Sequence, residues 1–279
     1  MFERSYHFIP ANRSKLFDRV ESLGADVYVF DLEDGVSRAE KPTALVALDE
    51  WLGQQKQFDK FFVRVNGRRH PLAEAERALL LNYPEVGIVL PKVSSAKALS
   101  QSVEYYKWAT SRRIIGLIEG AAGLQALSGI LKLGILQAVG LGLEDFLSQS
   151  IFDSSRLDRL VDHIRAETAL SAMAWGIDAI DTISMDITGG EQFKADVSNA
   201  RSAGFNGKFS IHPSQITPIN QGFSPSAEVL KKTSVISETM NFKEIESGYV
   251  RIAGEIISPP KLKKLQAIKQ FSDYHEYTN

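Results

Sequence analysis

Acids and bases stand at the ends of apolar runs in this chain, a pattern suited to chemistry on an oxygen-rich ligand. Asp26–Phe30 runs into Asp31, Leu32, Glu33 and Asp34; Phe61–Val63 runs into Arg64, Val65 and Asn66; Val86–Leu90 runs into Pro91 and Lys92. Glu119 follows Arg113–Ile118, and Leu136–Gly142 leads to Glu144 and Asp145. Two carboxylates closing consecutive runs, with few histidines and no cysteine in the chain, suit a hard divalent ion that keeps several waters, and Mg²⁺ is the natural candidate for Glu119 and Asp145. Either acid alone could instead be a surface charge or sit in the first turn of a helix. Arg64 could hold a ligand carboxylate through its bidentate fork, or form an ion pair with Asp31, Glu33 or Asp34; the two roles are compatible if those acids orient the arginine. Arg13, Lys15 and Lys41 lie near the first turns of the first two expected helices, where helix N-termini attract phosphate, although a solvated charged face explains each of them singly. Lys92 reads as a rim ion pair, because no apolar surroundings depress it toward Schiff-base chemistry. His212 reads as a core or capping histidine. Gly120, Gly123, Gly140 and Gly142 permit close backbone approach to a ligand. No GxGxxG, P-loop or nucleophile-elbow pattern is present.

To converge, these groups need parallel strands. Short continuous apolar runs read as strands buried on both faces, and their carboxyl ends face the crevice where α/β folds do chemistry. Eight strands are expected: Tyr6–Ile9, a second ending at Asp31, those at Phe61 and Val86, Arg113–Ile118, Leu136–Gly142, Asp178–Thr182 and Lys208–Ile211. Between them, helical spacing covers Pro10 to Leu23 (stopped by Gly24), Lys41–Leu52, Pro71–Leu81, Ser95–Trp108, Ala121–Ile130, Ser155–Trp175 and Glu191–Ala203. This alternation predicts a (β/α)8 TIM barrel over residues 1–223, with an open doubly wound sheet as the structural rival. Residues 224–279 read as a C-terminal helical extension: Ser226–Met240, a stretch Tyr249–Ile257, and a last helix opened by Pro259-Pro260. Apolar residues in that tail (Ile252, Ile256, Ile257, Leu262 and Leu265) lead to the expectation that it packs on a neighbouring subunit.

Composition narrows the class. The 279 residues carry 32 Lys plus Arg against 34 Asp plus Glu, a net charge of −2, which offers no electrostatic footprint for nucleic acid. Without cysteine, disulfides, thiolate metal sites and thiol nucleophiles are excluded. No apolar run reaches the roughly 20 residues of a membrane span. Met1-Phe2-Glu3-Arg4-Ser5 lacks a signal-peptide core, so the expectation is a cytoplasmic protein without membrane partners.

Taken in order, the landmarks resemble the citrate lyase beta-subunit family, which includes citryl-CoA, citramalyl-CoA and malyl-CoA lyases. They are Asp31-Leu32-Glu33-Asp34-Gly35-Val36 with Lys41, Arg64-Val65-Asn66, Leu90-Pro91-Lys92-Val93, Ile118-Glu119-Gly120-Ala121-Ala122-Gly123-Leu124, Gly142-Leu143-Glu144-Asp145, Ala179-Ile180-Asp181-Thr182, and Gly204-Phe205-Asn206-Gly207-Lys208 leading to Ile211-His212-Pro213-Ser214-Gln215. The resemblance runs from Arg4 to about Ile268. It implies Mg²⁺ on Glu119 and Asp145, and Arg64 on the carboxylate of a 2-oxo acid. It also implies Glu119 in contact with substrate and Asp31 and Glu33 on the same substrate side. Arg13, Lys15 and Lys41 become candidates for the phosphates of the CoA portion. The implied activity is Mg²⁺-dependent cleavage of a 3-hydroxy-acyl-CoA, citramalyl-CoA first and citryl-CoA or malyl-CoA next, to acetyl-CoA and a 2-oxo acid. The implied assembly is a homotrimer or hexamer whose C-terminal segment reaches a neighbouring site. Two departures stand out. The early Pro-Gly-Asn reads Pro10-Ala11-Asn12, and the C-terminal Gly-Lys-Met-Val-Asp-x-Pro reads Gly254-Glu255-Ile256-Ile257-Ser258-Pro259-Pro260. Ser258 thus takes the place of an aspartate implied to carry a proton, and a hydroxyl is a far weaker acid or base. The alternatives are therefore a CoA-free hydroxy-oxo-acid aldolase and a weakened oxo-acid-binding homologue.

Overall fold

Strand and helix alternate around a closed cylinder. The computed structural model describes residues 3–106, 112–148, 151, 157–239, 250–252 and 255–278. Eight parallel strands, β1 (Ser5–Pro10), β2 (Val27–Asp31), β3 (Phe61–Arg64), β4 (Gly87–Leu90), β5 (Ile114–Ile118), β6 (Ala138–Leu141), β7 (Asp178–Asp181) and β8 (Gly207–Ser210), pair in sequence order. The last returns to the first through Ser5↔Lys208, Tyr6↔Phe209 and His7↔Ser210, so no edge is left to template aggregation. The chain is a (β/α)8 barrel, not an open sheet.

The strands read as continuous apolar runs because both faces are covered. Tyr6, Phe8, Val27, Val29, Phe62, Val89, Ile115, Leu117, Ala138, Ile180 and Phe209 fill the interior. The alternate residues, among them Tyr28, Phe30, Phe61, Val63, Ile88 and Ile118, join the larger core beneath the helices. Side chains alternate faces every residue along a strand. Asp31, Arg64 and Glu119 lie two residues beyond the inward-facing Val29, Phe62 and Leu117 and therefore continue the inner face at the barrel mouth.

Helices α1 (Lys41–Leu52), α2 (Ala73–Asn82) and α3 (Ala96–Tyr106) follow β2, β3 and β4. The expected end of α3 at Trp108 and the start of the helix at Ser155 lie outside the described residues. The span Ala121–Ile130 is two short helices, α4 (Ala121–Gln125) and α5 (Leu127–Leu131), and α6 (Leu143–Ser148) follows β6 directly. Next come α7 (Asp158–Trp175) and α8 (Glu191–Ser202). After β8 the chain forms α9 (Pro213–Phe223), a helix that sequence spacing did not reveal. The segment after β1 is a 3-10 helix, Ser14–Leu23, closed by Gly24 at φ 75°. The tighter winding is a correction to the expected α-helix, and the left-handed stop is as expected.

Two compact units divide at Phe223/Ser224. The second holds α10 (Ala227–Thr239), an antiparallel hairpin of β9 (Val250–Ile252) and β10 (Glu255–Ile257), and α11 (Pro259–Thr278), with α10 packed on α11. The extension is therefore not wholly helical. Of the tail's expected apolar contacts, Ile257, Leu262 and Leu265 are buried and Ile256 is exposed, while the side chain of Ile252 lies outside what is described.

A buried charge cluster ties α7 and α8 to β7 and β8. Arg165 of α7 forks onto Asp181 (3.0 and 3.0 Å) and reaches Asp196 (2.8 Å), while Lys208 bonds Asp181 (2.5 Å), Asp196 (2.9 Å) and the Thr182 carbonyl (2.8 Å). Asp181 and Lys208 are wholly buried, so removing one partner leaves a desolvated charge. Asp181→Ala is expected to cost about 3–5 kcal/mol in urea unfolding, whereas Lys194→Ala, breaking the exposed pair with Glu191, should leave the unfolding midpoint nearly unchanged.

Candidate active site

Arg64 is placed by strand register. It pairs with Asp31 across β2 and β3, and its Nε and Nη2 donate to Asp31 Oδ1 and Oδ2 at 2.7 and 2.6 Å. The same carboxylate accepts the backbone N–H of Glu33 (2.9 Å) and of Gly35 (2.8 Å), winding the acidic loop around itself. A Cβ at Gly35 would overlap Asp31 Oδ2, so this turn needs glycine. Nη1 lies 3.4 Å from Glu33, and the guanidinium sits over the Phe8 ring, 4.8 Å from its centroid. Burial alone would push the Arg64 pKa down; the Asp31 bonds and charge outweigh it and raise it. Arg64 thus makes the expected ion pair with Asp31, which occupies two of its five N–H donors, and it also lines the barrel-mouth cavity.

Glu119 extends from β5, and its Oε2 accepts the Lys92 backbone N–H at 2.7 Å. Burial, then the charge of Glu33, pushes its carboxyl up to about 7. Gly142 matters here for a reason other than ligand approach: a Cβ at 142 would overlap Glu119 Cγ, so glycine makes room for the carboxylate itself. Asp145 lies in the first turn of α6, half-exposed, and the turn is tied to β7 where Leu143 N–H donates to Thr182 Oγ1 (3.0 Å). Glu119 and Asp145 line the same two cavities. One, in the barrel mouth, has Arg64 with Phe8, Leu117, Leu141, Ile183, Met185 and Phe209 on its walls. The other opens beside Lys92, Ser94 and the Gly120–Gly123 turn. No group of three or more His, Asp or Glu side chains placed to hold a metal occurs among the described residues. One buried and one half-exposed carboxylate, without nitrogen or sulfur donors, fit a hard ion that completes its shell with water or ligand oxygens.

Other expected residues behave differently. Lys41 is a correction. Its ammonium turns inward to the carbonyls of Leu32 (2.7 Å) and Glu33 (2.5 Å) and to Asn66 Oδ1 (2.7 Å), so it supports the loop from beneath and is not offered to a phosphate. Arg13 and Lys15 remain exposed on the segment after β1. His212 is exposed, and its Nδ1 accepts the Ser214 N–H (3.3 Å) at the start of α9, a capping role. Ser258 belongs to the second unit, where its Oγ accepts the Lys261 N–H (3.4 Å) at the start of α11. Glu76 escaped sequence reasoning. Buried under the site, it accepts the Asn66 N–H (3.0 Å) and the Asn66 side-chain amide, and burial pushes its carboxyl up to about 7. Its signal was an acid on the inner side of α2, at the turn where apolar residues recur.

With this geometry in place, comparison with known proteins is direct. The HpcH/HpaI aldolase/citrate lyase family matches residues 4–213. The mitochondrial citramalyl-CoA lyase of Homo sapiens is 29% identical over 287 residues, covering 94% of this chain and 83% of that protein. A (3S)-malyl-CoA thioesterase of Cereibacter sphaeroides is 28% identical, covering 91% and 89%. Protein CitE of Mycobacterium tuberculosis, crystallised with magnesium, acetoacetate and coenzyme A, superposes with a TM-score of 0.76 at 26% identity, covering 97% of this chain and 98% of that one.

The raised carboxyl of Glu119 has a stability consequence. Its pKa stands at about 7 in the fold against 4.5 as the ordinary value, so its contribution is fully present below 4.5 and lost as pH rises through about 7. Glu119→Gln cannot titrate. In chelator, the stability advantage of the variant over the parent should grow between pH 4.5 and 7 by on the order of 3 kcal/mol, read from urea unfolding across that window.

Proposed function

The chain belongs to the HpcH/HpaI aldolase/citrate lyase family, and we propose from that premise that it cleaves citramalyl-CoA to acetyl-CoA and pyruvate with Mg²⁺ on Glu119 and Asp145. The observation that carries this reading is one guanidinium in the same cavity as the carboxylates of Glu119 and Asp145, with Asp34 and Glu144 also in the lining and an apolar wall of Phe8, Leu117, Leu141, Ile183, Met185 and Phe209. Arg64 takes the substrate carboxylate, an arrangement that fixes the carbon bearing the hydroxyl. Magnesium, when bound, supplies Lewis acidity for the alkoxide that becomes the carbonyl. The hydroxyl proton leaves to a base, the C–C electron pair passes to the thioester methylene, and that carbon is protonated to acetyl-CoA.

The wall chemistry selects among acyl groups. Arg64 is the one cation lining the mouth cavity among the described residues. The carboxymethyl arm of citryl-CoA would meet Leu117, Leu141 and Phe209 without a counter-charge, a costly burial. Malyl-CoA, with hydrogen in place of the methyl, leaves that apolar space unfilled. Support also comes from the citramalyl-CoA lyase relative and from the neighbour solved with magnesium and coenzyme A. The exposed Arg13 and Lys15 are assigned to the CoA phosphates. A second reading, a slow enzyme, follows from Ser258, whose hydroxyl already serves the α11 start; Ser258→Asp raising the rate would favour it. Assembly as a homotrimer belongs to the same proposal, and a monomer in light scattering would contradict it.

The test is oxo-acid release from a panel of thioesters with Mg²⁺. Citramalyl-CoA should exceed citryl-CoA in kcat/KM by at least about tenfold, and EDTA should abolish turnover. Equal turnover of free citramalate would favour a CoA-independent aldolase. Arg64→Lys keeps the charge but loses the fork, and should lower kcat/KM by well over about tenfold with the melting temperature moving far less.

A further inference from the structure

We propose that Lys92 is a positioning residue that keeps the divalent ion on Glu119 and Asp145 weakly held while drawing the anionic substrate to the site; the inference rests on the metal reading above. Lys92 is the one non-glycine residue with a positive φ (53°) among the described residues. An L side chain adopts that conformation only at a cost, and such residues collect at functional sites. Two results follow from the turn. The Lys92 N–H reaches Glu119 Oε2 at 2.7 Å, fixing one oxygen of the metal-binding carboxylate. The side chain spans the mouth, with Nζ 2.6 Å from Glu33, 3.0 Å from Asp34 and 3.6 Å from Asp145.

Stability does not account for this arrangement, because the Lys92 side chain is 53% exposed and exposed ion pairs contribute little. Charge does. Asp31, Glu33, Asp34, Glu119 and Asp145 converge here, while Arg64 is taken up chiefly by Asp31. Lys92 is the cation that touches both the acidic loop and one of the two metal-binding acids. A divalent ion entering beside Asp145 meets a like charge at contact range, which lowers its affinity. The same ammonium offsets the acids that would otherwise repel a carboxylate-bearing thioester.

The signature is a pair of changes with opposite sign. Lys92→Met keeps an unbranched apolar stem and the backbone N–H and removes the ammonium with its bonds to Glu33 and Asp34. Mn²⁺ titrated calorimetrically into the chelator-treated full chain should bind Lys92→Met roughly three- to tenfold tighter than the parent, while the substrate KM at saturating Mg²⁺ rises by a similar factor. Lys92→Arg, which keeps the charge, should restore the parent Mn²⁺ affinity. Lys92→Gln serves as a second neutral variant if Lys92→Met melts early. Weaker or unchanged Mn²⁺ binding in the neutral variants, beside a parent that binds, overturns this inference alone. A parent chain that binds no Mn²⁺ overturns the metal reading and this inference together.

Discussion

The bidentate pair between Asp31 and Arg64 is the interaction on which the mouth of the barrel depends. Both are register partners at the ends of adjacent strands, and both continue the inward-facing row. Asp31 is nearly inaccessible to solvent, so its charge is tolerable only because the guanidinium fork and two backbone N–H groups satisfy it. That one carboxylate therefore does two things. It aims Arg64 across the cavity, and it curls residues 32–35 so that Glu33 faces Arg64 and Lys92.

Everything below the pair serves to hold it still. Lys41 ties the carbonyls of Leu32 and Glu33 to Asn66, and Asn66 in turn engages Glu76 and receives the Tyr106 hydroxyl on its carbonyl at 3.2 Å. A network so completely bonded in a poorly solvated layer resists distortion, because each broken bond strands a desolvated group. Glu119 and Asp145 stand apart from it, on a strand end and a helix turn, with oxygens still free. The bonded network thus presents the arginine, and the buried Glu119 and half-exposed Asp145 present the acids suited to a metal.

Much of this was legible before any coordinates. Runs such as Phe61–Val63 ending in Arg64 announce buried parallel strands, and counting two residues on from Val29, Phe62 and Leu117 picks out Asp31, Arg64 and Glu119. The eight strands fall where the runs fall. Beyond the Arg64–Asp31 ion pair, long-range partnership was less legible. Lys41 at a helix start looks like an anion ligand until Asn66, 25 positions on, is folded against it. Pro218 and Gly222 hid α9, although Pro213 suits a first turn and Pro218 is accommodated within the helix. The helix α6 was too short to show periodicity, so the sequence left Asp145 open between a strand end and a first helical turn, and it is a first-turn residue. Gly142 looked like room for a ligand and is room for Glu119. For Lys41 and Gly142 the missing information was a contact between segments distant in sequence.

The site sets a bidentate arginine–carboxylate pair beside the two acids proposed to seat a cation, at the mouth of an apolar barrel, the combination that the proposed retro-aldol chemistry on a hydroxy-acid thioester would use. The central claim is the location of that cation. Anomalous diffraction from crystals soaked in Mn²⁺ tests it most directly. A single strong peak within coordination distance of both Glu119 and Asp145, where the two cavities meet, is the result this account predicts. A peak on other residues, or none there at saturating Mn²⁺, would contradict it.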